Sequence, residues 1–520
     1  MQSRVTMKLK ATYAQITLNK ITVVFFLFSL IHFLAQGVVQ SFLFSLDSEF
    51  AGMVTKIVGA AQIPPQNITW LEGSSGRYVL RMCDHIPYGP AVSSCMVIFP
   101  SGVDGSNGSD ADTTSSLAIV QDLTAGFSIT TVFDTLGSVS EVKLDSTAAP
   151  SVGLVLQCTQ ILVYPEQVLK NSVREDVAAV FLQFWLFGVS VFAVGQSSVP
   201  HTLTALGTRI LITSWSAYIV AFRTNNQETI FRQVVSAPGT PCGMDLFPTY
   251  FGMRMAYDIA DLVLSCTGLL LSGLLSWKLL KIYNAQLFRR VGAPPHINRM
   301  CKLFMAVQAC LQLEVFVLMA ATGLWIDLLY ATSIRNLSSH TNIYDALIIS
   351  TTILVLPWIA LGWYGVKEER KLLMICFLGI ASYFIGGWFA MFDSKVYRWS
   401  FVQWPYLACF TVASYILILA SAILGAICWR NFGKGLAQYL YAEAALASSN
   451  FTPEVFDHMD EKSGNYYTYA PEYPLPTFQS SSMPLRQRSE SGVVVNDTLQ
   501  MPGPLRGPPP VYDRPYNAPV

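Results

Sequence analysis

Seven apolar runs between Val177 and Trp429 limit what this chain can fold into, because each is about long enough to cross a lipid bilayer. A hydrocarbon core of ~30 Å needs about 20 residues of helix. The runs are Val177–Gln196, Thr202–Phe222, Met255–Leu280, Leu303–Ile326, Ile343–Tyr364, Leu372–Phe392 and Gln403–Trp429. Backbone that faces lipid must satisfy its own hydrogen bonds, so each run is predicted helical. The expected fold is an α-helical polytopic membrane protein: a seven-helix bundle with a small β-rich N-terminal ectodomain and a disordered C-terminal tail. Only 13% of the 520 residues are charged and 52% are hydrophobic, which agrees with that class. With 33 basic and 33 acidic residues, nothing in the charge balance points to nucleic acid.

Four segments follow. Residues 1–44 carry Arg4, Lys8, Lys10 and Lys20 before the apolar run Ile21–Phe44, the pattern of a signal peptide or a signal anchor. Small residues at Ala35-Gln36-Gly37 suit cleavage, whereas the run continuing past Gly37 suits an uncleaved anchor. Residues 45–176 alternate short β-prone runs with turn residues: Arg77–Met82, Cys95–Phe99, Leu117–Val120, Phe127–Phe133, Val142–Leu144 and Leu154–Val163. They read as a luminal or extracellular domain, with 164–176 either an amphipathic segment along the outer face or a polar linker. Residues 177–429 are the bundle and 430–520 a cytosolic tail, Pro- and Ser-rich after a short helical stretch at Phe432–Leu446.

Of the ten cysteines, Cys83, Cys95, Cys158 and Cys242 lie in polar segments and are the disulfide candidates, with three pairings open. Asn67, Asn107 and Asn336 head glycosylation tripeptides in segments expected outside. Ten Lys and Arg residues fall in or beside the loops and tail expected inside, against five in the opposite loops, which orients the bundle with its tail in the cytosol.

Glu314 is the most informative single residue. An ionisable group in mid-membrane costs at least ~2.5 kcal/mol, so it needs a partner or water. Arg209, about two turns into its own helix, is the expected partner, as a switch, an ion or proton site, or a static pair; the alternative is a protonated Glu314 bonded to a neighbouring helix. Asp258 and Asp261 lie one turn apart on roughly one helix face and form either an acidic vestibule for a cation or amine ligand, or exposed helix-end carboxylates with Arg254 beside Asp258. Pro357 is expected to kink its helix, as a hinge or as packing. No GxSxG, HExxH or P-loop occurs, and none of the six histidines lies deep in a predicted bundle helix, so neither an enzyme, a metal nor a cofactor is expected. In the tail, Pro509-Pro510-Val511-Tyr512 has the form that WW domains bind, which points to a WW-domain ubiquitin ligase as partner. Arg486-Gln487-Arg488-Ser489 has the form of a basophilic kinase site.

At Pro165-Glu166-Gln167, Glu175-Asp176, Gln183-Phe184-Trp185-Leu186-Phe187, Arg290-Val291-Gly292-Ala293 and Phe432-Gly433-Lys434-Gly435-Leu436 the chain resembles a group of uncharacterised fungal multi-pass membrane proteins. The resemblance implies topology and lends no activity. The topology is also similar to that of G-protein-coupled receptors, but Lys278–Arg290 contains no Asp-Arg-Tyr and the last helix no Asn-Pro-x-x-Tyr. Two functions are therefore carried forward: a receptor-like sensor of unknown ligand, and a transporter or channel with a polar path around Arg209 and Glu314.

Overall fold

The computed structural model describes residues 16–17, 19–74, 77–100, 128–135, 137–145, 151–237, 239–289, 295–332 and 341–448. Asn107, Asn336, Pro509, Pro510 and Tyr512 lie outside them. Among the described residues, eight helices are long and apolar enough to cross a membrane: α1 (Lys20–Ala60), α2 (Leu156–Gly195), α3 (Val199–Ser236), α4 (Tyr250–Arg289), α5 (Pro295–Ala331), α6 (Thr341–Lys367), α7 (Lys371–Asp393) and α9 (Pro405–Arg430). A short α8 (Lys395–Gln403) precedes α9, and α10 (Leu436–Ser448) follows it. Their outward faces carry large exposed apolar residues such as Leu270, Leu274, Trp277, Ile353, Leu356 and Phe389. Apolar surface on that scale belongs in lipid. This is the architecture of a multi-pass membrane protein.

The helix count exceeds the seven expected by one, and the extra member is α1. It does not stop at Phe44 but runs on to Ala60, about 60 Å at 1.5 Å per residue. That is about twice a bilayer core, so one end of α1 projects beyond the lipid. The α2 helix likewise starts at Leu156, well before the expected entry at Val177. Leu154–Val163 was expected to be strand; only Val152–Val155 is, and the rest begins α2 because Cys158, Ile161 and Leu162 bury against α1. Packing partners, not β-propensity, decide that stretch.

Two three-stranded antiparallel sheets sit on these projecting ends. One is β1 (Ile68–Ser74), β2 (Arg77–Cys83) and β3 (Met96–Phe99); the other is β4 (Ser128–Phe133), β5 (Val139–Asp145) and β6 (Val152–Val155). Leu80, Val142 and Leu144 from the sheets share one core with Val54 and Ile57 of α1 and Leu162 of α2. The disulfides are Cys83–Cys95, closing the loop between β2 and β3, and Cys158–Cys242, which ties the start of α2 to the segment between α3 and α4. Asn67 places its side-chain amide on Met82 Sδ, and Thr69 of the same tripeptide is buried, donating to Gln167 Oε1.

Candidate functional site

α1 and α4 meet along a polar seam inside an otherwise apolar bundle. On α1, His32, Gln36 and Gln40 recur every fourth residue, and Asp47 follows two turns later. On α4, Arg254, Asp258, Asp261 and Ser265 recur at the same period. The amide nitrogens of the seam are engaged: Gln36 Nε2 donates to Asp261 Oδ1 and Ser265 Oγ, and Gln40 Nε2 approaches Asp261 Oδ1 at 3.4 Å. Arg254 pairs with Asp47, and the Tyr250 hydroxyl donates to Asp47 Oδ1 at 2.9 Å. At Gly268 an added Cβ would overlap His32 Nε2, so glycine lets α1 and α4 close here.

The sequence places Asp258 and Asp261 on one helix face, and the structure brings both into a buried charged cluster. Neither is an exposed helix-end carboxylate. The Arg254–Asp258 pairing is present at 3.7 Å. Thr224 Oγ1 donates to Asp258 Oδ2, and Ser216 Oγ donates to Asp261 Oδ2. Sequence reading missed the other members. Glu175 and Asp176 belong to no linker or surface segment; they lie inside α2 and are buried. Glu175 is held by both guanidinium nitrogens of Arg223 and by Trp404 Nε1 at 2.6 Å. Arg223 reaches it from a π-helical turn, Ile219–Arg223, that interrupts α3. Such single-turn widenings re-aim the side chains beside them and recur at functional sites.

These groups border a cavity of about 640 Å³ towards the sheet-bearing end of the bundle. Glu175, Asp176, Arg254, Asp258, Asp261 and Gln40 line one side. Leu211, Trp215, Tyr218, Phe401, Val402, Tyr406 and Phe410 line the rest. Asp176 is the outlier. It is 7% exposed, its side chain makes no hydrogen bond among the described residues, and its Oδ2 is buried without a hydrogen-bond partner. The Gln40 carbonyl oxygen, on the same wall, is also unpartnered. Four carboxylates (Glu175, Asp176, Asp258, Asp261) and one guanidinium (Arg254) line the cavity, with Arg223 paired to Glu175 and Asp47 to Arg254. A buried carboxylate without a hydrogen bond is disfavoured as an anion, so Asp176 is either protonated or paired with a cation. No three of its side chains converge as metal ligands among the described residues.

Arg209 and Glu314 do not pair. Arg209 Nη1 lies 3.2 Å from His32 Nδ1, with its guanidinium over the Phe28 ring. Glu314, 0% exposed, accepts a 2.6 Å bond from Ser414 of α9, and its Oε2 has no partner. The reason is helical phase. Thr204 and Gly207 occupy the face of α3 that meets Gln312 and Leu313 of α5. Arg209 is turned roughly 200° from Gly207 and so points into the α1–α4 seam instead. Neither residue lines the large cavity. Pro357 sits within the continuous helix α6, beside Trp358, which is buried, stacks on Phe377 and donates to its carbonyl oxygen at 3.1 Å.

Outside the bundle, one cluster has the spacing of a hydrolytic triad. His85 Nδ1 is 2.7 Å from Asp84 Oδ1, and its Nε2 is 3.1 Å from Ser94 Oγ. Nε2 also faces the Ala91 carbonyl oxygen at 3.0 Å, and that carbonyl together with Asp84 pushes the imidazole pKa up. A ring that donates from Nε2 offers Ser94 no base. The group braces the loop that Cys83–Cys95 closes.

Comparison of the chain with protein-family models, with curated proteins and with solved structures finds no match. The functional reading therefore stands on the geometry of the site.

Proposed function

We propose that this multi-pass membrane protein is receptor-like and binds an organic cation, a protonated amine, in the cavity beside Asp176. The carrying observation is a buried carboxylate without a partner, on the wall of a cavity of about 640 Å³ whose other walls are aromatic and aliphatic. Cavities of that size with a few fixed polar groups are ordinary ligand sites. An ammonium would neutralise Asp176, while Trp215, Tyr406 and Phe410 would cover the organic part. A path around Arg209 and Glu314, the basis of the transport reading, loses its support because the two side chains sit in separate seams.

In this reading the sheet-bearing end and cavity face outward, and the tail faces the cytosol. Counting α1 as an eighth span keeps that orientation and puts Arg4, Lys8 and Lys10 inside, as the positive-inside rule favours. The tail would engage a WW-domain ubiquitin ligase through Pro509, Pro510 and Tyr512. A Tyr512→Ala change is expected to lengthen the surface lifetime of the protein; an unchanged lifetime in a pulse-chase at the cell surface removes the ligase from the proposal.

The cavity reading is tested on purified full-length protein. Hexylamine at about 100 times its dissociation constant should raise the unfolding free energy by about 2.7 kcal/mol. Potassium chloride of equal ionic strength should not, and Asp176→Asn should abolish the gain. A thermal shift that potassium chloride reproduces, or that Asp176→Asn retains, overturns the reading.

A further inference from the structure

The cavity is not uniformly polar, and the arrangement of its walls narrows the ligand further. All four lining carboxylates come from α2 and α4, with Gln40 of α1 beside them. The lining from α3, α8 and α9 is mostly apolar, apart from Ser214 and Ser216. Three of its residues are also open at the bundle surface: Leu211 is 45% exposed, Tyr218 37% and Val402 62%. Leu211 and Tyr218 lie on α3, a membrane-spanning helix, so the apolar side of the cavity continues along α3 towards the bilayer. Trp215 and Tyr406, with ring centroids 5.0 Å apart, bridge α3 and α9 above the carboxylates.

From this layout we propose that the ligand is an amphiphilic amine, a single protonated amine on a long hydrocarbon chain, which enters sideways from the bilayer between α3 and α8–α9. The inference rests on the amine-binding reading above and adds the chain and the route. The ammonium would rest against Asp176 and the Gln40 carbonyl oxygen, with the chain along Leu211, Phe401 and Val402 towards the lipid. A hydrocarbon chain gains little in passing from lipid to an apolar protein wall, since both are equally oily. The chain therefore sets the route and the local concentration. The ammonium sets the selectivity, because a charge-assisted hydrogen bond in a dry site is about twice as strong as a neutral one.

Cys409 provides the readout. It is a free, exposed thiol that lines the cavity on α9, and Cys376, free and exposed on α7, lies outside the cavity and serves as internal control. The full chain is reconstituted in phosphatidylcholine vesicles and alkylated with a membrane-permeant maleimide, and both sites are followed by peptide mass spectrometry. Dodecylamine and dodecanol are compared at equal mole fractions in the bilayer, and hexylamine is added at the same total concentration as dodecylamine, so that its shorter chain leaves less of it in the lipid. Dodecylamine should protect Cys409 at about a tenfold lower mole fraction than dodecanol, the return expected from one charge-assisted bond, and leave Cys376 unaffected. Hexylamine should protect more weakly, and in Asp176→Asn the two dodecyl compounds should become equivalent. Equal protection by hexylamine and dodecylamine overturns the amphiphile and leaves the amine reading standing. Equal protection by dodecanol and dodecylamine in the unaltered protein, or no protection by any amine, overturns both. The comparison of ligands on the unaltered chain needs no variant to fold.

Discussion

Arg223→Met is expected to cost the folded bundle about 3–5 kcal/mol, seen as lost yield of folded protein or a large fall in its thermal transition. Arg223 is buried and holds Glu175 with two nitrogens, and among the described residues the only other bond to that carboxylate comes from Trp404. Removing the guanidinium strands a buried charge without its counter-ion. Removing both charges should be far milder: Arg223→Met with Glu175→Gln keeps the Trp404 bond and leaves neither member of the pair ionised, so most of the loss should return. High salt should not mimic the single change, because buried pairs are poorly screened. A single variant as stable as the parent would show that this pair does not lock α2 to α3. The neighbouring residue should behave in the opposite sense. Asp176 Oδ2 accepts no hydrogen bond, so Asp176→Asn strands no donor and should leave the ligand-free protein at least as stable, while removing its response to amines. Two adjacent carboxylates with opposite stability effects would separate the scaffold from the site.

The membrane class was legible in the sequence because about 20 consecutive apolar residues have few other uses. The eighth helix was harder to read, since a basic leader followed by an apolar run is shared by signals and anchors. A readable signal was present nonetheless: His32, Gln36 and Gln40 repeat at the helical period, a stripe that only a polar partner helix would stabilise. The partner stripe on α4 was half recognised through Asp258 and Asp261. Glu175 and Asp176 were hidden by their position just before an apolar run, where charge reads as a membrane boundary. Their burial depends on α2 continuing outward past Pro165 and on Arg223 being aimed by a π turn, neither of which local sequence specifies. Arg209 and Glu314 illustrate the reverse error. Opposite charge and similar depth suggest a pair, but which seam each side chain faces follows from helix phase and from where α1 packs.

Cys242→Ser should be the more damaging of the two disulfide losses. The Cys158–Cys242 bond spans 84 residues of sequence and Cys83–Cys95 only 12. In the chain-entropy account the longer closure contributes roughly 4–5 kcal/mol and the shorter roughly 3 kcal/mol. The helices between Cys158 and Cys242 remain inserted when the protein loses tertiary structure in a bilayer, which reduces the freedom the long cross-link removes. The difference should therefore be largest in denaturing detergent, where the spans are free to separate. The bond also has a local consequence. Cys158 lies at the start of α2 and Cys242 shortly before Tyr250 opens α4, so the cross-link holds the two helices that carry all four lining carboxylates. Cys242→Ser should then weaken the stabilisation that hexylamine provides as well as the resting stability, whereas Cys95→Ser should lower stability alone. If the two variants shift the thermal transition equally and respond equally to the amine, the Cys158–Cys242 bond does not set the spacing of the carboxylate wall.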